Sequence, residues 1–177
     1  MPIPVPEGQD SGNPFGAFAF HVHFSPGGAS STPMDGIDSA ISGGFTEVTG
    51  LEATMEAKAI KEGGHNYGVH QRPGQVTFAT VVLKRGMMAS RHLWRWWALW
   101  AGADGAQNGG WGPSSRCNVT IALTQHDDPD PPRRIAWRLE NAMPVKFRAG
   151  DLNARGTEVA IEELHLVHEG LHMSEVV

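Results

Sequence analysis

Apolar and polar residues alternate strictly in "AFAFHVHF", where Phe18, Phe20, Val22 and Phe24 share one face and Ala19, His21 and His23 the other. A period of two marks a half-buried strand. The alternation returns after Gly50, with Leu51, Ala53, Met55, Ala57 and Ala59 set against Glu52, Thr54, Glu56 and Lys58. Before Gly50 it is weak, so this glycine predicts a bulge that resets the register of one long strand over 45–61. "VTFATVVLKRG" is apolar on both faces, as a central strand is, and is predicted to pair with that strand as one run over 76–85. Between them "GGHNYGVHQRPGQ" carries the Gly, Asn and Pro of a hairpin tip.

Further strands follow in "NVTIALT", with Val119, Ile121 and Leu123 inward, and in "IAWRLE", with Ile135, Trp137 and Leu139 inward. A turn, "DDPDPPRR", separates them, and "TEVAIEELHLVHEGL" closes the chain with Val159, Ile161, Leu164, Leu166 and Val167. Glu162 and Glu163, side by side, interrupt that last alternation. One segment breaks the β pattern: "RHLWRWWALW" holds four of the 6 Trp. Ser90 as N-cap, Gly102 beyond the C-terminus, and Leu93, Trp96 or Trp97, and Trp100 at helical spacing predict a helix about 15 Å long. That is half of what a bilayer requires. Such a helix packs on a sheet, and indoles left over mark an interface.

Composition fits this picture. The 177 residues are 40% hydrophobic and include 22 Gly and 12 Pro, which favours turns and strands over long helices. The net charge of -5 argues against a protein that coats phosphates. A single cysteine forms no internal disulfide, and "MPIPVPEGQDSGNPFG" lacks the basic and apolar regions of a signal peptide, so synthesis and folding in the cytoplasm are expected. Residues 1–16 read as an extended arm and 17–177 as one domain. Gly, Ser and Pro make 25–44 an exposed excursion.

Chemistry is sparse. His21 and His23 share a strand face at a spacing that can chelate, and His165, His168 and His172 crowd the C-terminus, but no carboxylate or cysteine stands at a ligand offset. Cys117 begins a strand, where a buried thiol is ordinary and a nucleophile needs a base. No nucleophile elbow, phosphate-binding loop or dinucleotide fingerprint is present. A metal- or thiol-dependent β-barrel enzyme using His21, His23 or Cys117 is the rival from another class. No catalytic residue, metal or cofactor is assigned.

Four fragments in order, "FHVHF", "GFTEVTGLEATMEAKAIKEGG", "VVLKRGM" followed by the Trp-rich segment, and "WRLENAMPVKFRAGDLNARGTEVAIEELHLVHEGL", resemble the tail tube proteins of contractile phages and contractile injection systems, including the Hcp-type tubes of type VI secretion. The resemblance implies a mainly β protein, a small antiparallel β-barrel or sandwich with one short helix on its side. It implies hexameric rings, stacked into a hollow tube inside a contractile sheath, with baseplate and spike hub proteins as further partners. DNA or protein cargo would pass through the lumen without specific binding, and no membrane is involved. Glu52, Thr54, Glu56 and Lys58 would line that lumen. Glu62, Gly63, Gly64, His65, Asn66, Tyr67 and Arg72, in the loop 62–73, would reach a neighbouring subunit or ring. Leu93, Trp94, Trp96, Trp97 and Trp100 would pack on the sheet and at the subunit seam. The excursion 25–44 and the segment 102–116 look longer than in a plain tube subunit, so a tube-initiating or baseplate-proximal ring is the alternative within the same particle.

Overall fold

The computed structural model describes residues 20–26, 44–89, 91–103, 116–124, 134–151 and 159–176. The expected arm 1–16, most of both excursions, the Ser90 cap, Phe18 and the turn before Arg134 lie outside them. The elements are β1 (Phe20–Pro26), β2 (Glu47–Thr49), β3 (Ala53–Ile60), β4 (His70–Phe78), β5 (Val81–Gly86), α1 (His92–Ala101), β6 (Cys117–Thr124), β7 (Arg134–Arg148), β8 (Ile161–Val167) and β9 (Gly170–Val176).

β7 organises the body. Along one side it pairs first with β9, from Arg134 opposite Val176 to Glu140 opposite Gly170, and then with β8, from Met143 opposite Val167 to Arg148 opposite Glu163. On its other side β6 follows only the first half, ending with Cys117 opposite Ala142. One long hairpin thus serves two sheets, β1-β6-β7-β9 and β2-β5-β8-β7.

The corner between the sheets lies at Asn141, whose φ of 50° is left-handed, a conformation that Asn tolerates better than most residues. Its backbone N–H donates to Asn118 Oδ1 at 3.1 Å and its side-chain amide to Glu169 Oε2 at 3.0 Å. Arg116 completes the corner by donating to the Asn141 carbonyl and pairing with Glu169 at 2.7 Å. A bend in a strand strands backbone groups, and these side chains satisfy them.

Between the sheets sit Val22, Phe24, Leu83, Leu93, Trp96, Val119, Leu139, Leu164 and Leu166. The sequence pattern places the inward residues of β1 and β6 correctly. Along β8 the inward set is Glu162, Leu164, Leu166 and, just beyond it, His168, whereas Val159 and Ile161 are exposed and Val167 is only partly covered. In β7 Ile135, Trp137 and Leu139 share the face that meets Leu123, Ile121 and Val119, as expected, with Leu139 fully buried and the other two half-buried, whereas Ala136, opposite Ala122, is buried on the other face, and past the bend at Asn141 Ala142 is buried.

The predicted barrel does not close: the hydrogen-bonded path among the described residues runs from β1 to β2 without pairing its ends. The molecule is the sandwich form of the expected fold. Phe24 lies 6.3 Å from Phe45 and meets the Trp96 ring edge-on at 5.6 Å, so aromatic side chains bridge the interior where a barrel would have backbone pairing. Helix α1 inserts Leu93 and Trp96 into that interior. Arg91, not Ser90, occupies its N-cap position, and Gly102 ends it in the left-handed conformation expected.

Candidate assembly interface

The predicted strand over 45–61 is two strands. Gly50 has φ +84°, and a Cβ there would lie 2.1 Å from the Thr80 carbonyl oxygen, so the chain turns at this point with the partner backbone pressed against it. On the other side Ala79 and Thr80 likewise separate β4 from β5. β2 and β5 stay in the body, paired from Glu47 opposite Lys84 to Thr49 opposite Val82, while β3 and β4 leave it as a separate two-stranded arm. The expected pairing holds in both halves.

The arm's register sets its two faces. Ala53 stands opposite Phe78, Met55 opposite Val76 and Ala57 opposite Pro73, which makes one face apolar. Thr54 opposite Thr77 and Lys58 opposite Arg72, with Glu56 between, make the other polar. Opposite Glu56 the register shifts at Gly74, whose Cβ would come 2.5 Å from the Glu56 carbonyl oxygen. Every residue of β3 is exposed on both faces, Met55 to 55%, although it belongs to the apolar set. A lone two-stranded hairpin is marginal in water, and burial is what normally stabilises one.

At its root the arm is tied to the body. Glu52 accepts from the Ala79 N–H at 3.1 Å, and the Phe78 ring lies 5.0 Å from that of His168. The apolar face of the arm therefore continues the interior side of the β5–β8 sheet. His168 is buried, its Nδ1–H donates to the Gly170 carbonyl at 2.9 Å, and its Nε2 has no partner. Burial holds its pKa below the ordinary 6.5, with that hydrogen bond opposing in part.

At the tip, the loop is shorter than predicted. β4 begins at His70, so Arg72 and Pro73 are strand residues, and the turn is 61–69. His70 Nε2 lies 2.8 Å from Glu62 Oε2, His65 stacks on His70 at 5.0 Å, Gly64 adopts φ +87°, and Tyr67 is entirely exposed. Gly63 and Asn66 are exposed in the same turn. The lumen-predicted Glu52, Thr54, Glu56 and Lys58 all lie on the arm or its root, with Thr54 Oγ1 donating to Glu52 Oε1 at 3.3 Å.

The predicted helix residues divide. Leu93 and Trp96 are fully buried, Trp97 and Trp100 are half-buried against the core, and Trp94 is the most exposed, touching Trp97 and Phe147. No helix of the described residues is long and apolar enough to cross a membrane. His21 and His23 are exposed on β1, Cys117 is buried, and among the described residues no three His, Cys, Asp or Glu side chains come together as metal ligands would.

Sequence reading missed a row of charges on the outer face of the β2-β5-β8-β7 sheet. Glu47, Lys84, Glu163 and Arg148 are successive cross-strand neighbours there. Lys84 Nζ meets Glu47 at 3.0 Å and Arg148 meets Glu163 at 3.3 Å. Nothing in the sequence signals it, since its members lie up to 116 positions apart (163 minus 47) and only strand order aligns them.

The family model described as T4-like virus tail tube protein gp19 matches residues 16–172. No curated protein matches the chain. Among solved structures, one from the anti-feeding prophage baseplate is 26% identical with a TM-score of 0.67, over 92% of this chain and 97% of that one. A chain of the PVC sheath-tube complex, an extracellular contractile injection system in its extended state, is 20% identical with a TM-score of 0.65, over 92% and 93%. One from the anti-feeding prophage tube-terminating cap is 17% identical with a TM-score of 0.67, over 99% and 97%. The last two share the fold.

Proposed function

Since this chain belongs to the T4-like virus tail tube protein gp19 family and is a structural tube subunit, we propose that its copies close into hexameric rings that stack into the inner tube of a contractile particle. The observation that carries this reading is the arm: an apolar face extending the protein's own core side beyond the body and left exposed among the described residues. A second copy supplies the missing cover, which is the ordinary route by which a marginal hairpin becomes stable.

In this reading Glu52, Thr54, Glu56 and Lys58 face the lumen, where charges of both signs leave no uniformly basic wall to hold a polyanion. The turn bearing Glu62, Gly63, Gly64, His65, Asn66 and Tyr67, with Arg72 behind it, reaches a neighbouring subunit or ring. Trp94, Trp97 and Trp100 complete their burial at the seam, while Leu93 and Trp96 hold the helix to the body. Sheath protein surrounds the tube, and baseplate and hub proteins end it. The reading includes no catalytic step and no cofactor. A baseplate-proximal ring is the second reading, supported by the 26% identity to a chain of the anti-feeding prophage baseplate.

Negative-stain electron microscopy of the purified protein with light scattering for mass tests the proposal. Rings with a central hole, alone or stacked, are the expected result. A monodisperse monomer at high concentration overturns self-assembly and transfers the bet to a ring that forms only on the baseplate. Counting copies per particle against the sheath protein separates the two.

A further inference from the structure

The apolar face of the arm is built from Ala53 opposite Phe78, Met55 opposite Val76 and Ala57 opposite Pro73. Phe78 is held at the root against His168, so Met55 and Val76 are the bulkiest pair away from the body, and they stay 55% and 45% exposed. A thioether is readily oxidised among apolar side chains, and its susceptibility follows its exposure. The product is a polar, chiral sulfoxide whose oxygen accepts hydrogen bonds. On the free arm water satisfies that oxygen. The side chains of Ala53, Ala57, Val76 and Pro73 offer it no donor, so a sulfoxide covered there by another apolar surface is left unsatisfied, which is costly.

We propose that Met55 is an oxidation site that controls assembly: peroxide converts it to the sulfoxide in the free subunit, and the modified arm is no longer covered by a second copy. The proposal rests on the ring reading above and adds a means of regulating it. A sulfur lone pair attacks one oxygen of hydrogen peroxide, the S–O bond forms as the O–O bond breaks, and the departing hydroxide takes the proton from the new S–OH and leaves as water. Sulfur is oxidised by two electrons and the peroxide reduced by two. A sulfoxide reductase reverses the step with a dithiol, which closes to a disulfide as the oxygen leaves as water. The effect is confined to assembly because Met55 lies outside the core between the sheets, so the body keeps its packing. Met87 and Met88, just after β5, and Met173 on β9 are exposed to 46%, 54% and 70% but lie off the arm, and they serve as internal controls.

Dilute, unassembled protein is treated with hydrogen peroxide, quenched with free methionine, mapped by peptide mass spectrometry, and then concentrated for electron microscopy and light scattering. Sulfoxide at Met55, unchanged melting of the subunit and a loss of assembled rings by about tenfold or more are expected, with recovery after sulfoxide reductase and dithiothreitol. Met55→Leu, a swap of similar volume, is expected to assemble after the same treatment although Met87, Met88 and Met173 are oxidised. Partly oxidised parent protein reads the same effect without a substitution: Met55 sulfoxide is expected in the unassembled fraction and excluded from the rings. Equal Met55 sulfoxide in both fractions, or an equal loss of rings in oxidised Met55→Leu, overturns the proposal and leaves the ring reading standing. Absence of rings in the untreated parent chain removes the ring reading, and control by oxidation falls with it.

Discussion

Arg85 and Glu162 form an ion pair inside the core, Nε to Oε1 at 2.5 Å, with their side chains only 2% and 7% exposed. They are cross-strand partners on β5 and β8, and the Arg85 guanidinium lies 5.8 Å from the centre of the Phe45 ring. Two charges leave water here, and each is tolerable only while the other is present.

Removing one partner is therefore costly. Glu162→Ala is expected to destabilise the subunit by roughly 3–5 kcal/mol, since it leaves the Arg85 cation buried without its counter-ion. Glu163→Ala, on the outer face of the same strand, is expected to cost about 1 kcal/mol or less. Urea denaturation of the two variants compares them directly. Similar losses would mean that Glu162 reaches water.

The tryptophans are unequal. Trp96→Ala is expected to lose roughly 3–5 kcal/mol, as full burial of an indole implies, and Trp97→Ala clearly less, because its ring is only half covered. Thermal melting of the unassembled subunit measures both. The reverse order would place Trp97 in the core and Trp96 outside it.

Stability should fall in acid on account of His168. Its folded pKa is held below the unfolded value of 6.5 by burial, so the unfolded chain binds the proton more readily. Its contribution is complete above pH 6.5 and is lost as the pH falls through the folded pKa. Denaturation midpoints measured between pH 7.5 and pH 5 should drop, and His168→Phe should flatten the slope. An unchanged slope would assign the acid sensitivity to other groups.

Gly50→Ala should disturb the arm root. A left-handed backbone costs a β-carbon roughly 1–2 kcal/mol, and the Thr80 carbonyl leaves no room for it. Lower stability together with faster proteolysis inside 61–69 is expected. Wild-type melting and proteolysis would show that the turn relaxes freely.

Replacing the turn 61–69 by a two-residue Asn-Gly connection keeps the pairing of Ile60 with His70 and removes the tip. The subunit should fold with its melting temperature nearly unchanged and fail to form tubes. Normal tubes in micrographs would take the tip out of the assembly contact.

Much of the fold is legible in the alternation itself. A strand period of two is local, so the inward sets Val22 with Phe24 and Val119 with Ile121 follow from the residues, as do the pairing of β3 with β4 and the Gly102 helix stop. The resemblance of the four quoted fragments also carried the family and the mainly β class. What the sequence left undecided is whatever depends on strands far apart in the chain. Glu162 and Glu163 look alike in sequence; only the placement of β8 beside β5 buries one against Arg85 and leaves the other outside. The run over 45–61 reads as continuous, yet the nearness of Thr80 to Gly50 divides it into a body strand and an arm. The polar and apolar faces of that arm were readable, but their exposure among the described residues was not, because exposure is set by where distant parts of the fold lie. Strand order, finally, lined up Glu47, Lys84, Glu163 and Arg148. Each charge is local, and the row exists only through the hydrogen bonds that bring four distant segments side by side.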